Sequence, residues 1–187
     1  MFERISVAPP PDRSRRKLLK WGEVLAALGI AHLSIVASAN PSAKAGYADD
    51  LDILNVALGL EHQAIAAYQA GAESKLLPAA VLEIAVSFQN EHKRHRDALI
   101  GLITKYGGTP VAAKSSYDFG TIKSAGDILN LALTLEQGAV DAYLANAYKL
   151  KSGDILNSAV PIVLDEVRHA TVFRLALGLP VTERPKY

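Results

Sequence analysis

Glu166 and His169, within Leu164-Asp165-Glu166-Val167-Arg168-His169, stand three residues apart. On a helix that spacing brings a carboxylate and an imidazole to one face, where both can ligate one metal ion. The segment before them, Ile128-Leu129-Asn130-Leu131-Ala132-Leu133-Thr134-Leu135-Glu136, repeats Ile53-Leu54-Asn55-Val56-Ala57-Leu58-Gly59-Leu60-Glu61 at an offset of 75 residues. The chain is one helical hairpin written twice, and Glu136 copies Glu61. Each of these glutamates falls on an apolar stripe. An unpaired carboxylate buried there costs roughly several kcal/mol unless it is protonated, paired or bound to a cation.

Four helices must position these groups. The first runs from Asp49 to about Glu73, with Leu51, Leu54, Leu58, Ile65, Tyr68 and Ala72 at helical spacing and Glu61 among them. A short turn and Pro78 introduce the second, whose seam reads Val81, Ala85, Phe88, His92, His95, Leu99 and Leu102. A single core histidine is ordinarily a hydrogen-bonded structural residue. Two on one seam, at the depth of Glu61, point to ligation. Glu91 aligns with Glu166 at the offset of 75, but Arg94-His95 aligns better with Arg168-His169 at 74, which sets His92 opposite Glu166 and turns Glu91 off the seam. His92 therefore ranks above Glu91 as the inward group, with Glu91 placed to bond Arg94 or lean into the site.

Tyr106 to Lys123 holds Gly107-Gly108, Pro110 and Gly120 without a sustained period, so it reads as a long crossover that returns along the bundle. Helix three, from about Ala125 to Lys149, repeats helix one through Leu129, Leu133, Glu136, Val140, Tyr143 and Ala147. Tyr68 and Tyr143 each follow a seam glutamate by seven residues. The plainer reading makes them core residues; the functional one has them donate hydrogen bonds to metal ligands or carry a radical. Lys151-Ser152-Gly153-Asp154 closes the second hairpin, with Asp154 as the expected cap. Helix four carries Ile155, Ala159, Ile162, Glu166, His169, Phe173 and Ala176 on its seam, contains Pro161, and is expected to end near Gly178.

The chain has 187 residues, is 50% hydrophobic and lacks cysteine, which suits one well-buried core and removes thiolate nucleophiles, disulfides and iron–sulfur ligands. Seven of its 20 Lys and Arg but only three of its 19 acids fall in residues 1–45, so the remainder is mildly acidic and carries no nucleic-acid footprint. In that basic start, Ser14-Arg15-Arg16-Lys17-Leu18-Leu19-Lys20 resembles the twin-arginine export signature. An apolar run from Trp21 to Ala39 and the small-x-small pattern Ala43-Lys44-Ala45 follow it. Residues 1–45 are expected to be an export signal, residues 46–187 the folded domain, and the protein periplasmic or otherwise exported. The only Met is the initiator, there is no Gly-x-Ser-x-Gly elbow or phosphate-binding glycine loop, and a glycosidase reading leaves the histidines unexplained.

Over residues 49–178 the pattern resembles the ferritin-like superfamily, whose di-metal sites take one Glu from each of two helices and a Glu-x-x-His pair from each of the other two. Glu61 and Glu136 match the lone glutamates, and Glu166 with His169 matches one pair. The resemblance implies an all-α, ferritin-like four-helix bundle of two duplicated hairpins with a long crossover between helices 2 and 3. It implies the metal ligands Glu61, His92, His95, Glu136, Glu166 and His169, with Glu91, Tyr68 and Tyr143 in supporting positions. One or two ions of iron or manganese, or zinc, suit that set. Helix two departs from the pattern, because His92-x-x-His95 replaces Glu-x-x-His and leaves three carboxylates where two divalent ions need four. Three functions follow: reaction of a di-metal site with oxygen or peroxide, sequestration of metal, or a metal-free scaffold with a structural or stress role. The export machinery is the partner the leader implies, and a homodimer through an apolar outer face is plausible.

Overall fold

In a computed structural model that describes residues 46–181, the chain forms four α-helices, with no strand among the described residues. They are α1 (Ala48–Glu73), α2 (Ala79–Lys105), α3 (Ala125–Ala147) and α4 (Gly153–Ala176). The expected export signal over residues 1–45 lies outside the described residues, as does the tail from 182. No described helix is long and apolar enough to cross a membrane.

The expected bundle is present. α1 packs against α2 and α3, and α4 packs against α3 and α2. Contacts at both ends fix the directions: Tyr47 stacks near Tyr106, Gly71 meets Ile128, and Phe88 meets Phe173 edge to face. Each helix therefore runs antiparallel to its two neighbours. The segment from Tyr106 to Ser124 is the crossover, and Asn55 holds its start by donating to the Thr109 carbonyl and accepting from the Val111 amide. His62, two turns further along α1, meets the Val111 carbonyl at 3.2 Å.

Local chemistry sets the helix ends. Ser124 caps α3 by accepting from the Asp127 amide, and Asp127 accepts from the Ser124 hydroxyl and the Lys123 amide. The arrangement resembles a capping box, with Asp127 accepting from the amide of the residue before the cap instead of from the cap's own amide. At α4 the cap is Ser152, which accepts from the Ile155 amide, and the expected cap Asp154 falls in the first turn instead. Ser152 is the last residue with extended backbone, which is what the capping position requires; Asp154 still favours the positive end of the helix. Gly107 and Gly178, both at positive φ, end α2 and α4 with paired reverse hydrogen bonds, a conformation glycine adopts without strain. α4 runs through Pro161 without a break.

The core has two apolar clusters. One holds Leu51, Leu54, Leu58, Leu99, Ile103 and Ile155 at the end where α1 starts; the other holds Tyr68, Phe88, Leu133 and Phe173 at the opposite end. Every inward polar residue expected from the sequence lies in sequence between those clusters, at mid-bundle. On α1 the seam turns slightly from the expected one: Ala64, Ala67 and Gly71 are buried, whereas Ile65 and Ala72 are half-buried. Gly71 matters because a Cβ there would lie 2.9 Å from Ile128 Cγ2, so its absence lets α1 and α3 close up.

The sequence reading missed Asp50. This fully buried carboxylate accepts from the backbone amides of Lys151, at 3.0 Å, and Ser152, also at 3.0 Å, and so ties the start of α1 to the loop before α4. Asp50→Ala strands two buried amides and is expected to cost about 2–4 kcal/mol in chemical denaturation. Asp50→Asn, which keeps an acceptor, should lose less. A loss below about 0.5 kcal/mol for the alanine variant would contradict the tie.

Candidate metal centre

The six residues picked from the sequence converge. Glu61 comes from α1, His92 and His95 from α2, Glu136 from α3, and Glu166 and His169 from α4, and all six are buried. Their ligating atoms fall into two overlapping groups: Glu61, His92, His95 and Glu166, and His92, Glu136, Glu166 and His169. Within each group the atoms lie within 4.8 Å of one another, a spread that one cation could gather. Glu166 and His92 belong to both.

His92 stands between the two half-sites. Its Nδ1 lies 2.9 Å from Glu61 Oε2 and its Nε2 lies 3.2 Å from Glu136 Oε1. A neutral imidazole has one lone pair and so serves one half-site at a time, whereas a carboxylate at this place could serve both. An imidazolium would instead donate one N–H to each glutamate. Burial alone would push His92 down, but the flanking carboxylates of Glu136 and Glu61 outweigh it and hold its pKa well above the usual imidazole value.

The outer nitrogens of the other two histidines each meet a carboxylate from the facing helix. His169 Nε2 lies 2.6 Å from Glu91 Oε2, and His95 Nε2 lies 3.1 Å from Asp165 Oδ2. Their Nδ1 atoms then face inward, at 3.3 Å from Glu136 Oε2 and 3.1 Å from Glu166 Oε1 respectively. An acid behind a ligating histidine fixes its tautomer and orientation and raises its basicity. Glu91 thus supports the site rather than entering it, in keeping with its place off the seam; it also pairs with Arg168 and, at 3.5 Å, with Arg94. Asp165 was missed, yet it matches Glu91 at the offset of 74. Arg168 joins the two acids, reaching Glu91 and, at 2.9 Å, Asp165 Oδ1.

The tyrosines part company. Tyr68 donates to Glu136 Oε1, so it does more than fill the core. Burial, and then the Glu136 charge, push its phenol well above the ordinary range. The Tyr143 hydroxyl is buried without a hydrogen-bond partner among the described residues. Burial and the nearby Glu61 push its pKa up as well.

Glu166 carries the strongest signal. Its side chain is 0% exposed, and neither oxygen has a hydrogen-bond partner among the described residues; the His95 Nδ1 contact lacks hydrogen-bond geometry. His95 Nδ1 is likewise unsatisfied. Buried polar atoms that converge without bonding each other are arranged as ligands are, with lone pairs toward a shared centre. The donor set, three imidazoles and three carboxylates, all buried, fits a transition metal. Without metal, burial and the Glu136 charge beside it push Glu166 up to about 7. Burial would also raise Glu136, but the close approach of Glu166, His169 and His92 holds it well below the usual range.

The same network predicts how the metal-free protein responds to pH. Burial disfavours charged His95 and His169, yet the surrounding carboxylates raise them to about 10 and about 9. Both bind a proton more tightly folded than unfolded. Their stabilisation is complete below about pH 6.5 and is lost as pH rises through the folded values. Thermal unfolding in chelator should therefore show Tm falling by on the order of 5 °C between pH 6.5 and 10. A flat Tm over that window would contradict the arrangement.

Comparison with known proteins agrees with the geometry. The sequence pattern of the ferritin-like domain matches residues 49–179, more than half of the chain. A solved structure, a conserved hypothetical protein, rv2844, from Mycobacterium tuberculosis, resembles this one with a TM-score of 0.65 and 26% identity, covering 74% of this chain and 97% of that one. No curated protein matches. With its four-helix bundle, its crossover and its mid-bundle cluster of glutamates and histidines, the chain belongs to the ferritin-like domain family.

Proposed function

We propose that this protein is an exported metal-binding protein that holds iron or manganese, with zinc as a competitor, in two half-sites of unequal affinity. The observation that carries the reading is Glu166, fully buried, with neither oxygen in a contact of hydrogen-bond geometry and in reach of three histidines and two further carboxylates. Glu61, His95 and Glu166 would hold one ion, and Glu136, His169 and Glu166 the other, with His92 joining whichever half-site takes its lone pair. Bound iron or manganese would supply redox reactivity toward oxygen or peroxide in a cavity that excludes bulk water. The chain's own part is to orient His95 and His169 through Asp165 and Glu91, and to steady Glu136 through Tyr68. Support for export is the twin-arginine-like run Ser14 to Lys20 and the apolar segment after it.

Charge argues for inequality. Three carboxylates leave two divalent ions one negative charge short, and His92 cannot supply it while neutral. Sequestration of a first ion is therefore better supported than turnover at a symmetric pair. A metal-free scaffold is the alternative, favoured by the imidazolium that His92 could present to Glu61 and Glu136.

Equilibrium titration of chelator-stripped protein with iron(II), manganese(II) and zinc(II) separates these readings. The wild type should bind one ion tightly and a second more weakly. His92→Glu, which restores a fourth carboxylate, should strengthen the second ion by on the order of tenfold. Equal affinities in the wild type, or a second ion unaffected by His92→Glu, would contradict the inequality. Failure of folded wild type to bind any of the three would leave the scaffold.

A further inference from the structure

Six side chains close a ring that crosses from α2 to α4 and runs from solvent to the centre of the bundle. Arg168 pairs with Glu91 and, at 2.9 Å, with Asp165. Behind them Glu91 meets His169 Nε2 at 2.6 Å and Asp165 meets His95 Nε2 at 3.1 Å. The Nδ1 atoms of the two histidines then face Glu166, at 3.8 Å and 3.1 Å respectively. Exposure falls along this path: the Arg168 side chain is 52% exposed, Asp165 30% and Glu91 17%, while both histidines and Glu166 are buried. The path ends on atoms without a hydrogen-bond partner among the described residues, both Glu166 oxygens and His95 Nδ1.

Other sides of the bundle contrast with this one. The α1–α3 side carries two apolar hollows, about 20 Å³ beside Tyr68 and about 150 Å³ beside Tyr143, and no charged residue lines either. Across α1 and α2, polar contacts from Lys93 through Gln89 lead to Gln69 and the Ile65 carbonyl, not to a ligand of the centre. A hydrated cation must exchange its water for other oxygens as it enters, so a route with carboxylates on it is favoured over an apolar one.

Arg168 is placed to come and go. Asp165 holds His95 through Oδ2 and Arg168 through Oδ1, so the guanidinium can leave without releasing the histidine. Its ion pairs lie at the surface, and each favours the closed form by only about two- to fivefold. Arg94, its counterpart at the repeat offset of 74, reaches Glu91 on its own helix at 3.5 Å. We propose that a divalent cation enters and leaves the centre across the α2–α4 face, where Glu91 and Asp165 take it from water once Arg168 swings aside, with Arg168 as the bolt on that port. The acids keep a cationic partner throughout, first the guanidinium and then the metal. Such a port presupposes the metal-binding reading and adds to it the route and the residue that sets the rate.

Zinc(II) exchange kinetics of the full-length chain test the port, with Arg168→Ala, Arg168→Lys and Arg94→Ala beside wild type and helicity checked for each. Uptake is read by stopped flow with a fluorescent zinc indicator, release by transfer to excess chelator, and affinity by equilibrium competition. Arg168→Ala should speed both uptake and release by about tenfold and leave affinity within about threefold of wild type. Arg168→Lys keeps the charge but lacks the fork that spans two acids, so its rates should fall between the two. Arg94→Ala should stay within about twofold of wild type, and an effect equal to that of Arg168→Ala would overturn the assignment to Arg168. Loss of a nearby positive charge by itself would speed uptake and slow release, so release no faster than wild type would overturn the bolt. A loss of affinity of about tenfold with unchanged uptake would do the same, because it marks a residue that only positions the two acids. Raising salt weakens exposed ion pairs and should quicken release from wild type; salt-independent release would overturn the bolt without recourse to any variant. Folded wild type that takes up no zinc would remove the metal reading and the port together, whereas zinc binding with wild-type exchange rates in Arg168→Ala would remove the port alone.

Discussion

A carboxylate sealed at the centre of an apolar bundle must be neutralised, and the rest of this structure is arranged around how Glu166 meets that demand. It approaches histidines of α2 and α4, lies within 4.8 Å of carboxylates from α1 and α3, and makes no contact of hydrogen-bond geometry; the acids Asp165 and Glu91 orient His95 and His169 from behind. Two apolar clusters pack the bundle on either side of the site. The helices are held in register by contacts far from the site, among them Asp50 on the Lys151 and Ser152 amides and Asn55 on the crossover. Low dielectric magnifies both the attraction a cation would feel and the penalty of leaving the cluster unfilled.

The duplication gives the molecule an approximate two-fold relation, and that relation fails at particular residues. The pairing of Glu91 with His169 and Asp165 with His95 is nearly symmetric. His92 opposite Glu166 is not, because an imidazole replaces a carboxylate and removes one negative charge from one side. Tyr68 grips Glu136, whereas Tyr143 lies beside Glu61 without a contact of full hydrogen-bond geometry. The Tyr68 end is filled by phenylalanines, while the Tyr143 end stays open. The two halves of the repeat are thus unequally packed.

Much of this was legible in the sequence, because the physical signal was periodic. Apolar stripes gave the four helices, and charged residues on those stripes gave all six buried ligand candidates, since burial of Glu61 or His92 is implied by spacing alone. The order of His92 over Glu91 followed from a one-residue change of repeat offset, and the geometry agrees. What escaped depends on contacts between helices distant in sequence. Asp50 lies near a helix start where acids are common, so nothing marked it as buried. Asp165 sits off the seam and gains meaning only when His95 comes across from α2. Ser152 and Asp154 were both credible caps, and the choice between them was made by backbone conformation. The open pocket was invisible because it is a deficit of volume, and residues 1–45, expected as an export signal, lie outside the described residues.

The most direct measurement of the central claim, that Glu166 is kept buried for a cation, is element-resolved metal content of the protein recovered from its native cells, beside Glu166→Gln. Gln is nearly isosteric but neutral, so the bundle should still fold while the charge shared by both half-sites is lost. About one to two iron or manganese ions per chain in wild type, falling to near zero in the variant, is the result this account predicts. Wild type that is folded, contains no metal and takes up none of iron, manganese or zinc would contradict it. The cluster would then be a self-satisfied network of imidazolium and carboxylate.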